Sequence, residues 1–376
     1  MNRFTAICTL RSLVTVCAIT MLVYGAPFFA HGQEQHQGAA VKRVLNFKCS
    51  KPLGMLFLEP IAKQKPTTNG DEARNISKKI APAIGTVTVD VPPGWEILLD
   101  ANQKFVFDPT SIQSLNPADI EALIIQASAA EDRDIPMIHH LIQQLGQFKN
   151  LKELYFERSD LTDKELALLP VMPSLEVISL FENYGISGTC LEQLSRFPNL
   201  RYLSFFLTQV DKSNLHFFTK MQKLVALHLG VTRLQAGALK PLVDCPNIRY
   251  LWLNGNPNLG KDDIKCIGSL KHLEWLDLRR CKLTDADLAP LTNCKSLKKI
   301  ALNDNALTAN GLMQLRSLHL DELQVSDNGF DKDQMSMLHS LCKNLFLRES
   351  KDPRAKPDKD LLKIFAPLSD GTASKR

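Results

Sequence analysis

Side chains suited to recognition recur at regular spacing between residues 155 and 279, and they suit binding better than bond-breaking chemistry. They are Tyr155, Phe181, Tyr202, Phe206, His228, Tyr250, Trp252, Trp275, Asp277 and Arg279. Tryptophan, tyrosine and arginine carry much of the binding energy in protein interfaces. Aromatic residues make up only 7% of the chain, so their concentration here predicts a binding surface. Asp277 and Arg279 flank Trp275 closely enough to form a polar rim.

Common catalytic and metal-binding spacings are absent from the sequence. No G-x-S-x-G, H-E-x-x-H or glycine-rich phosphate loop occurs, and the histidines are scattered. Asp327, Asn328 and Gly329 offer oxygen ligands, but not in the order of a calcium loop. We therefore expect a protein that is not an enzyme and has no metal or cofactor. An enzyme or enzyme subunit is the least favoured alternative.

The spacing of the candidate residues comes from a repeat of 23 to 25 residues. The pattern L-x-x-L-x-L begins at Leu151, Leu175, Leu200, Leu224, Ile248, Leu273, Leu297 and Leu320. Every copy is apolar at its first position and at the third and fifth residues after it. A short strand that buries these side chains on one face explains the pattern, and the rest of each repeat is predicted to be helical.

Side chains alternate across a strand, so those two, four and six residues after the first apolar position face away from the buried side. All ten candidate residues occupy these positions and are predicted to line one concave surface. Two alternatives compete with a partner site there. The rings could stack on one another across the strands and stabilise the sheet. The segment before the repeats could also fold back over them.

A small polar residue follows eight positions after the start of each repeat. These residues are Ser159, Asn183, Thr208, Thr232, Asn256, Cys281, Asn305 and Asn328. Such a side chain can satisfy backbone groups of the turn that leaves the strand.

The apolar pattern and the small polar residue together resemble the repeat of leucine-rich-repeat proteins of the ribonuclease-inhibitor-like or cysteine-containing kind, most closely at Leu283–Leu297. Residues 235–239 resemble the bacterial GALA-type repeats. The resemblance covers about residues 118–347 and implies an α/β solenoid with a parallel concave sheet and convex helices. It implies little about function, because such repeats serve many unrelated partners.

Seven cysteines follow residue 32, and an odd number could leave one thiol over from disulfides. The repeat favours another interpretation. Cys245, Cys294 and Cys342 stand just before a strand, where Leu270 stands in the fifth repeat. A position that accepts cysteine or leucine is predicted to be a buried apolar one, so we expect buried free thiols.

The first 32 residues have the pattern of a secretory signal peptide. Arg3 and Arg11 precede an uncharged run that ends at Ala30, and cleavage is predicted after Gly32. An uncleaved membrane anchor is the alternative, since the run is about 19 residues long. We therefore expect an exported protein, whether periplasmic, cell-surface or secreted, with no membrane span after cleavage.

The remaining chain divides into three segments. Residues 33–117 are predicted to form a small β-rich module, with a hairpin of residues 85–90 and 95–99 and a further strand at residues 104–107. A separate binding domain is the alternative. Residues 118–347 hold the repeats, including an irregular first repeat and a ninth strand near Leu345. Residues 348–376 are predicted to form a C-terminal cap and tail.

Composition narrows the class of partner. The 376 residues carry a net charge of +5, with basic and acidic residues well mixed, which argues against nucleic acid. A hydrophobic share of 44% excludes general disorder. The resulting hypothesis is an exported, non-catalytic protein that binds a protein or peptide through its concave aromatic surface. Binding to a glycan of the cell wall and a structural role in the envelope are the alternatives.

Overall fold

A computed structural model describes residues 39–61, 77–108, 110–126, 135–326 and 328–346. Contacts divide the chain into two units, residues 1–39 and 40–376, and the elements below belong to the second. The predicted signal peptide and the C-terminal cap lie outside the described residues.

The strands are β1 (Val41–Phe47), β2 (Gly54–Pro60), β3 (Lys78–Pro82), β4 (Gly85–Val91), β5 (Trp95–Ala101), β6 (Ala122–Ile125), β7 (Glu153–Phe156), β8 (Val177–Ser179), β9 (Tyr202–Ser204), β10 (Ala226–His228), β11 (Tyr250–Trp252), β12 (Trp275–Asp277), β13 (Lys299–Ala301), β14 (Leu320–Gln324) and β15 (Cys342–Phe346). The α-helices are Gln103–Phe107, Ile135–Gln144, Asp163–Ala167, Leu191–Leu194, Lys261–Gly268, Ala309–Leu312 and Lys332–Leu338. The 3-10 helices are Ser111–Ser114, Pro117–Asp119, Leu145–Gln147, Lys212–Lys220, Lys240–Asp244, Asp285–Asp287, Ala289–Asn293 and Met313–Leu318.

Within the described residues, one sheet of 13 strands runs through the whole repeat region. Strands β5 to β15 are parallel and follow chain order, while β2 and β3 extend the sheet with antiparallel pairing. The predicted repeat register is confirmed, because Leu154 pairs with Ile178, Ile178 with Leu203, and Leu203 with Leu227. The fold is an α/β leucine-rich-repeat solenoid, as the sequence predicted.

The apolar positions of the repeats form the core between the sheet and the helices. Leu154, Leu203, Leu227 and Leu251 are completely buried there, together with leucines from the helical segments. Asp263, at the start of the helix Lys261–Gly268, joins two repeats by accepting hydrogen bonds from the backbone amides of Gly237, Leu239 and Gly260 at 2.8–2.9 Å.

The small polar residue of each repeat satisfies the backbone where the strand ends. The Asn305 amide donates to Leu278 and Leu302 carbonyls at 2.9 Å, and its Oδ1 accepts from the Cys281 and Leu283 amides. The residue just before this position has a positive φ in seven repeats. They are Arg158, Glu182, Leu207, Val231, Gly255, Arg280 and Asp304. Since only one of them is glycine, the side-chain hydrogen bonds must offset the strain of the left-handed turn.

The predicted hairpin of residues 85–90 and 95–99 is wrong, although both strands exist. Strand β4 pairs with β1 in a separate two-stranded sheet, and β5 pairs with β2 and β6 in the long sheet. Strand β5 buries Ile97, Leu98 and Leu99 completely, so apolar layers cover both of its faces. A strand that is buried on both faces is better placed in the centre of a sheet than in an isolated hairpin.

The predicted strand at residues 104–107 is also wrong, because residues 103–107 form a helix. Asn102 begins it, and the Asn102 Oδ1 accepts from the Phe105 amide at 3.2 Å. Phe105 and Val106 enter the core from adjacent helical positions. The apolar residues matched either structure, and the cap at Asn102 favours the helix.

Candidate functional site

The concave face consists of strand side chains that point away from the helix-facing core. A second apolar cluster occupies it, separate from the main core. Its buried members are Leu98, Ala122, Ile124, Tyr155, Val177, Tyr202, Ala226 and Trp252. Phe57, Tyr250 and Trp275 pack against this cluster while remaining partly exposed. Five of the ten predicted residues belong to this cluster and therefore share one face of the sheet.

The aromatic side chains on this face contact one another across neighbouring strands. Phe181 stacks on Phe206 with ring centroids 5.4 Å apart, and Phe206 stacks on His228 at 4.6 Å. Trp252 continues the row, 5.5 Å from His228 and 6.5 Å from Trp275. Phe181 and Phe206 hold equivalent positions in neighbouring repeats, as do His228 and Trp252, whereas Phe206–His228 and Trp252–Trp275 are diagonal contacts. Both kinds of contact fit strands that lie about 4.8 Å apart.

Most of the predicted anchors are buried, so the expectation of an exposed aromatic surface is wrong for them. Tyr155 and Tyr202 are completely buried, while Phe181 and Phe206 are 4% exposed and Trp252 is 5% exposed. Parallel strands in register place each ring against the next, and cross-strand packing removes both from water. This burial favours the alternative in which the rings stabilise the sheet.

His228 and Asp277 are also buried, which leaves Tyr250, Trp275 and Arg279 as the partly exposed members of the predicted set. Asp277 is 1% exposed and forms an ion pair with Arg279. Its carboxylate accepts from the guanidinium Nε at 2.9 and 3.0 Å and from Nη2 at 2.5 Å. Burial opposes the charge on Arg279, but the Asp277 carboxylate outweighs burial and raises the arginine pKa.

Polar groups that the sequence analysis did not select surround these three residues. The Lys299 Nζ lies 5.2 Å from the Trp275 ring centroid and 3.1 Å from Glu322. Asn254 and Asn303 occupy the position of Arg279 in the repeats on either side of it. Within the described part of the chain, their buried Oδ1 atoms have no hydrogen-bond partner. The sequence could have indicated both asparagines, because each lies six residues after the first apolar position of its repeat, where side chains are predicted to face the concave side.

We call Tyr250, Trp275, Arg279 and Lys299, with the amide oxygens of Asn254 and Asn303, the Trp275 patch. It combines two partly exposed rings, two cations and two buried amide oxygens, located on or just after the consecutive strands β11, β12 and β13. Arg279 is held in place by a buried partner, so its donors are oriented before any ligand arrives. This arrangement can bind carbonyl, carboxylate or hydroxyl groups beside an aromatic wall.

A second group of polar side chains lies at the N-terminal end of the concave face. Glu59 of β2 pairs directly with Glu96 of β5, and Glu153 lies on β7. Glu59 and Glu96 are each 2% exposed, and Glu153 is 7% exposed. Burial raises the pKa of all three carboxyls, that of Glu153 to about 7, and the negative charge of Glu153 raises the pKa of Glu59 further.

All seven cysteines after residue 32 are free thiols in the structure. The Cys245 and Cys294 thiols are buried and donate to the carbonyls of Phe218 and Ile267 at 3.4 and 3.3 Å. Burial raises the pKa of each to about 11. These two positions match the predicted apolar slot, whereas Cys342 is partly exposed.

The described ranges hold no cluster of three or more His, Cys, Asp or Glu side chains that could bind a metal ion. No helix in the same part of the chain has both the length and the apolar character needed to span a bilayer.

Comparison with known proteins identifies similar folds but no family. No family model matches the chain. An internalin from Listeria monocytogenes is 22% identical over 61% of this chain and 68% of its own, with a TM-score of 0.44. The mouse RP105/MD-1 complex contains a chain with 20% identity, covering 63% of this chain and 41% of its own, at a TM-score of 0.43.

A third similar structure is a TLR13 complex with ssRNA13. It is 17% identical over 67% of this chain and 38% of its own, at a TM-score of 0.43. This chain thus spans less than half of the matched chain in each of these two complexes. At such identities and TM-scores the likenesses supply no ligand or partner for this protein.

Proposed function

We propose that the chain is an exported, non-catalytic leucine-rich-repeat protein that binds a protein partner through the Trp275 patch. The observation that carries the proposal is the Arg279 guanidinium, fixed by Asp277, in the same repeat as the partly exposed Trp275, which pairs across the sheet with the partly exposed Tyr250. Tryptophan, tyrosine and arginine are the residue types that most often dominate interface energies. The patch is built on strands, so binding costs little ordering entropy.

The buried rings support this patch rather than contact the partner. Trp252 packs between Tyr250 and Trp275, with ring centroids 6.2 and 6.5 Å away. Tyr202 meets the edge of Trp252 at 6.4 Å. Replacing any of these rings is expected to alter the orientation of the patch as well as the stability of the sheet. The buried part of the predicted set is therefore assigned a positioning role.

The proposal includes the division of the chain made from sequence. Residues 1–32 would direct export and be removed, residues 33–117 would begin the solenoid, and residues 348–376 would close it. Strand pairing between β5 and β6 supports a shared sheet across the boundary near residue 117. The ribonuclease-inhibitor-like subtype remains part of the proposal. Mass spectrometry of the protein from its native host tests export and cleavage, with a mature chain that starts at residue 33 expected.

A pull-down from the native envelope fraction tests the binding site. The bait is the mature chain, compared with a Trp275→Ala/Arg279→Ala variant. The matched control is Asp262→Ala/Lys265→Ala, which removes an exposed 2.8 Å ion pair on the helix Lys261–Gly268. Circular dichroism and urea unfolding first establish that both variants fold.

We expect the partner to be retained by the unchanged protein and the helix variant and lost by the patch variant. Equal retention by all three proteins would contradict the proposed site. Insoluble cell-wall polysaccharide serves as a second bait, because exposed tryptophan and tyrosine also stack on sugars. Retention on the polysaccharide that depends on Trp275, with no protein captured, would replace the protein partner by a glycan.

A further inference from the structure

Three polar side chains of the Trp275 patch form a row just after strands β11, β12 and β13. Asn254, Arg279 and Asn303 are each the sixth residue after the first apolar position of their repeats. Backbone hydrogen bonds hold this row in register beyond the strands. The Gly255 amide donates to the Arg279 carbonyl at 2.8 Å. The Arg280 amide donates to the Asn303 carbonyl at 3.0 Å. Neighbours in the row are therefore about 4.8 Å apart, and the two asparagines about 9.6 Å apart.

The side-chain nitrogens are the accessible ends of both asparagines. Their Oδ1 atoms are buried and have no hydrogen-bond partner in the part of the chain that the structure describes. The Oδ1 of Asn254 occupies the space that a Cβ at Gly230 would need, so the missing side chain of Gly230 makes room for it. The Nδ2 atoms of Asn254 and Asn303 are not buried in this way, and among the described residues they make no hydrogen bond. Both can therefore donate to a ligand.

Arg279 supplies a third donor between the two asparagines. Its Nε and Nη2 bind Asp277, whereas its Nη1 makes no hydrogen bond to another described residue. Both cations of the patch are already neutralised, Arg279 by Asp277 and Lys299 by Glu322 at 3.1 Å. An acidic ligand therefore gains little from charge. The row instead suits neutral acceptors, of which the peptide carbonyl is the commonest in proteins.

A polyproline II helix presents carbonyl groups at the spacing of the two asparagines. It has three residues per turn and rises about 3.1 Å per residue, so equivalent carbonyls recur about every 9.3 Å. Equivalent carbonyls of a β-strand recur about every 6.8 Å, which matches the row less well. Proline has a carbonyl and no N–H, so a site whose accessible groups are donors leaves no group of such a segment unpaired. Tyr250 and Trp275 are partly exposed beside the row, and aromatic side chains are the usual partners of proline rings.

We propose that the Trp275 patch binds a proline-rich segment of its protein partner in the polyproline II conformation, lying across strands β11 to β13. Asn254 and Asn303 donate to carbonyls three residues apart, and Arg279 donates to a carbonyl between them. Tyr250 and Trp275 contact the proline rings. The existence of a protein partner rests on the proposed function, and this inference adds the class of segment that is bound. Such a segment is ordered before it binds, so little conformational entropy is lost.

Isothermal titration calorimetry of the full chain tests the inference with short peptides. The probe is a nonamer of L-proline with an acetylated N-terminus and an amidated C-terminus. The D-proline nonamer is its match, because it has the same composition and forms a helix of the opposite hand. A serine–glycine nonamer offers the same number of carbonyls on a flexible chain. We expect a Kd of about 1 mM for the L-proline nonamer, and binding at least about tenfold weaker for the other two peptides.

Variants then locate the binding on the row. Asn254→Leu/Asn303→Leu removes both donors at nearly constant side-chain shape and should weaken binding of the L-proline nonamer at least about tenfold. The matched control is Asn199→Leu/Asn247→Leu, which changes two asparagines that are also two repeats apart. Their Nδ2 atoms donate to backbone carbonyls of neighbouring repeats at 2.7 Å, and binding should be unchanged. Urea unfolding establishes that both variants fold.

Three results would overturn the inference. The first is no saturable heat from the unchanged protein with the L-proline nonamer up to about 20 mM. The second is equal binding of the D-proline nonamer, a comparison that needs no variant to fold. The third is unchanged binding by the leucine pair. If the native partner is lost by Trp275→Ala/Arg279→Ala in the pull-down while the L-proline nonamer does not bind, the proposed function stands and the polyproline II segment is excluded.

Discussion

Replacing Glu153 by glutamine should stabilise the protein at pH 8 and have little effect at pH 4. The pKa of Glu153 is raised from 4.5 to about 7, chiefly by burial. Because the folded-state pKa is the higher one, the carboxyl carries no penalty below pH 4.5. The penalty grows as pH rises from 4.5 to about 7 and is constant above that. At 1.36 kcal/mol for each pH unit, it reaches about 3 kcal/mol.

Glutamine keeps the shape of glutamate without the charge, and its amide oxygen can still accept from the Tyr155 hydroxyl. A charged acceptor makes the stronger hydrogen bond, so about 1 kcal/mol of the gain is lost again. The expected net effect at pH 8 is therefore a stabilisation of about 2 kcal/mol. Urea unfolding followed by circular dichroism at pH 4, 6 and 8 measures it as a shift of the midpoint at constant slope.

The matched control is Glu274→Gln, because Glu274 is half-buried and already paired with Arg249 at 2.5 Å. It should lower stability by at most about 1 kcal/mol at pH 8. The reasoning is refuted if Glu153→Gln destabilises the protein equally at all three pH values. Such a result would mean that Glu153 is ionised and well compensated in the folded state.

Two further predictions concern the repeats. Asn305→Ala should lower the unfolding free energy by about 3 kcal/mol, because it removes the hydrogen bonds to the Leu278 and Leu302 carbonyls and leaves the Leu283 amide unpaired. The midpoint of urea unfolding measures this loss. An unchanged midpoint would contradict the role of Asn305 in stabilising the turn after the strand. Cys294 should stay unreactive toward a thiol reagent at pH 8 until the protein unfolds, since burial raises its pKa to about 11; labelling with mass spectrometry checks this, and rapid native labelling would count against it.

Local patterns in the sequence determined the repeat architecture. The apolar positions recur in every repeat, so a single strand register buries them in all the strands. A departure from the pattern in one repeat therefore does not change the prediction. The small polar residue predicted at the end of each strand makes the expected turn contacts, as Asn305 does. The same regularity explains why the ten candidate residues were placed on one face.

Exposure on that face depended on the tertiary structure. Alternation along a strand says which way a side chain points, but not whether neighbouring rings cover it. Phe181 and Phe206 were therefore predicted as contact residues and proved to be buried against one another. Arg279 was placed correctly, whereas its buried carboxylate clamp from Asp277 became visible only in the structure.

The structure of the regions without the repeat was less predictable, because the pattern of a single strand or helix is not repeated elsewhere in the chain. Strand β5 matched both a hairpin strand and a central strand by composition, and only its pairing with β2 and β6 separated the two. The buried acidic group of Glu59, Glu96 and Glu153 was likewise invisible, since these residues are far apart in the chain and lie on three different strands of the long sheet. The periodic sequence determined the solenoid. The packing of side chains on neighbouring strands decided which of them remain exposed to solvent, which are ionised and which can contact a partner.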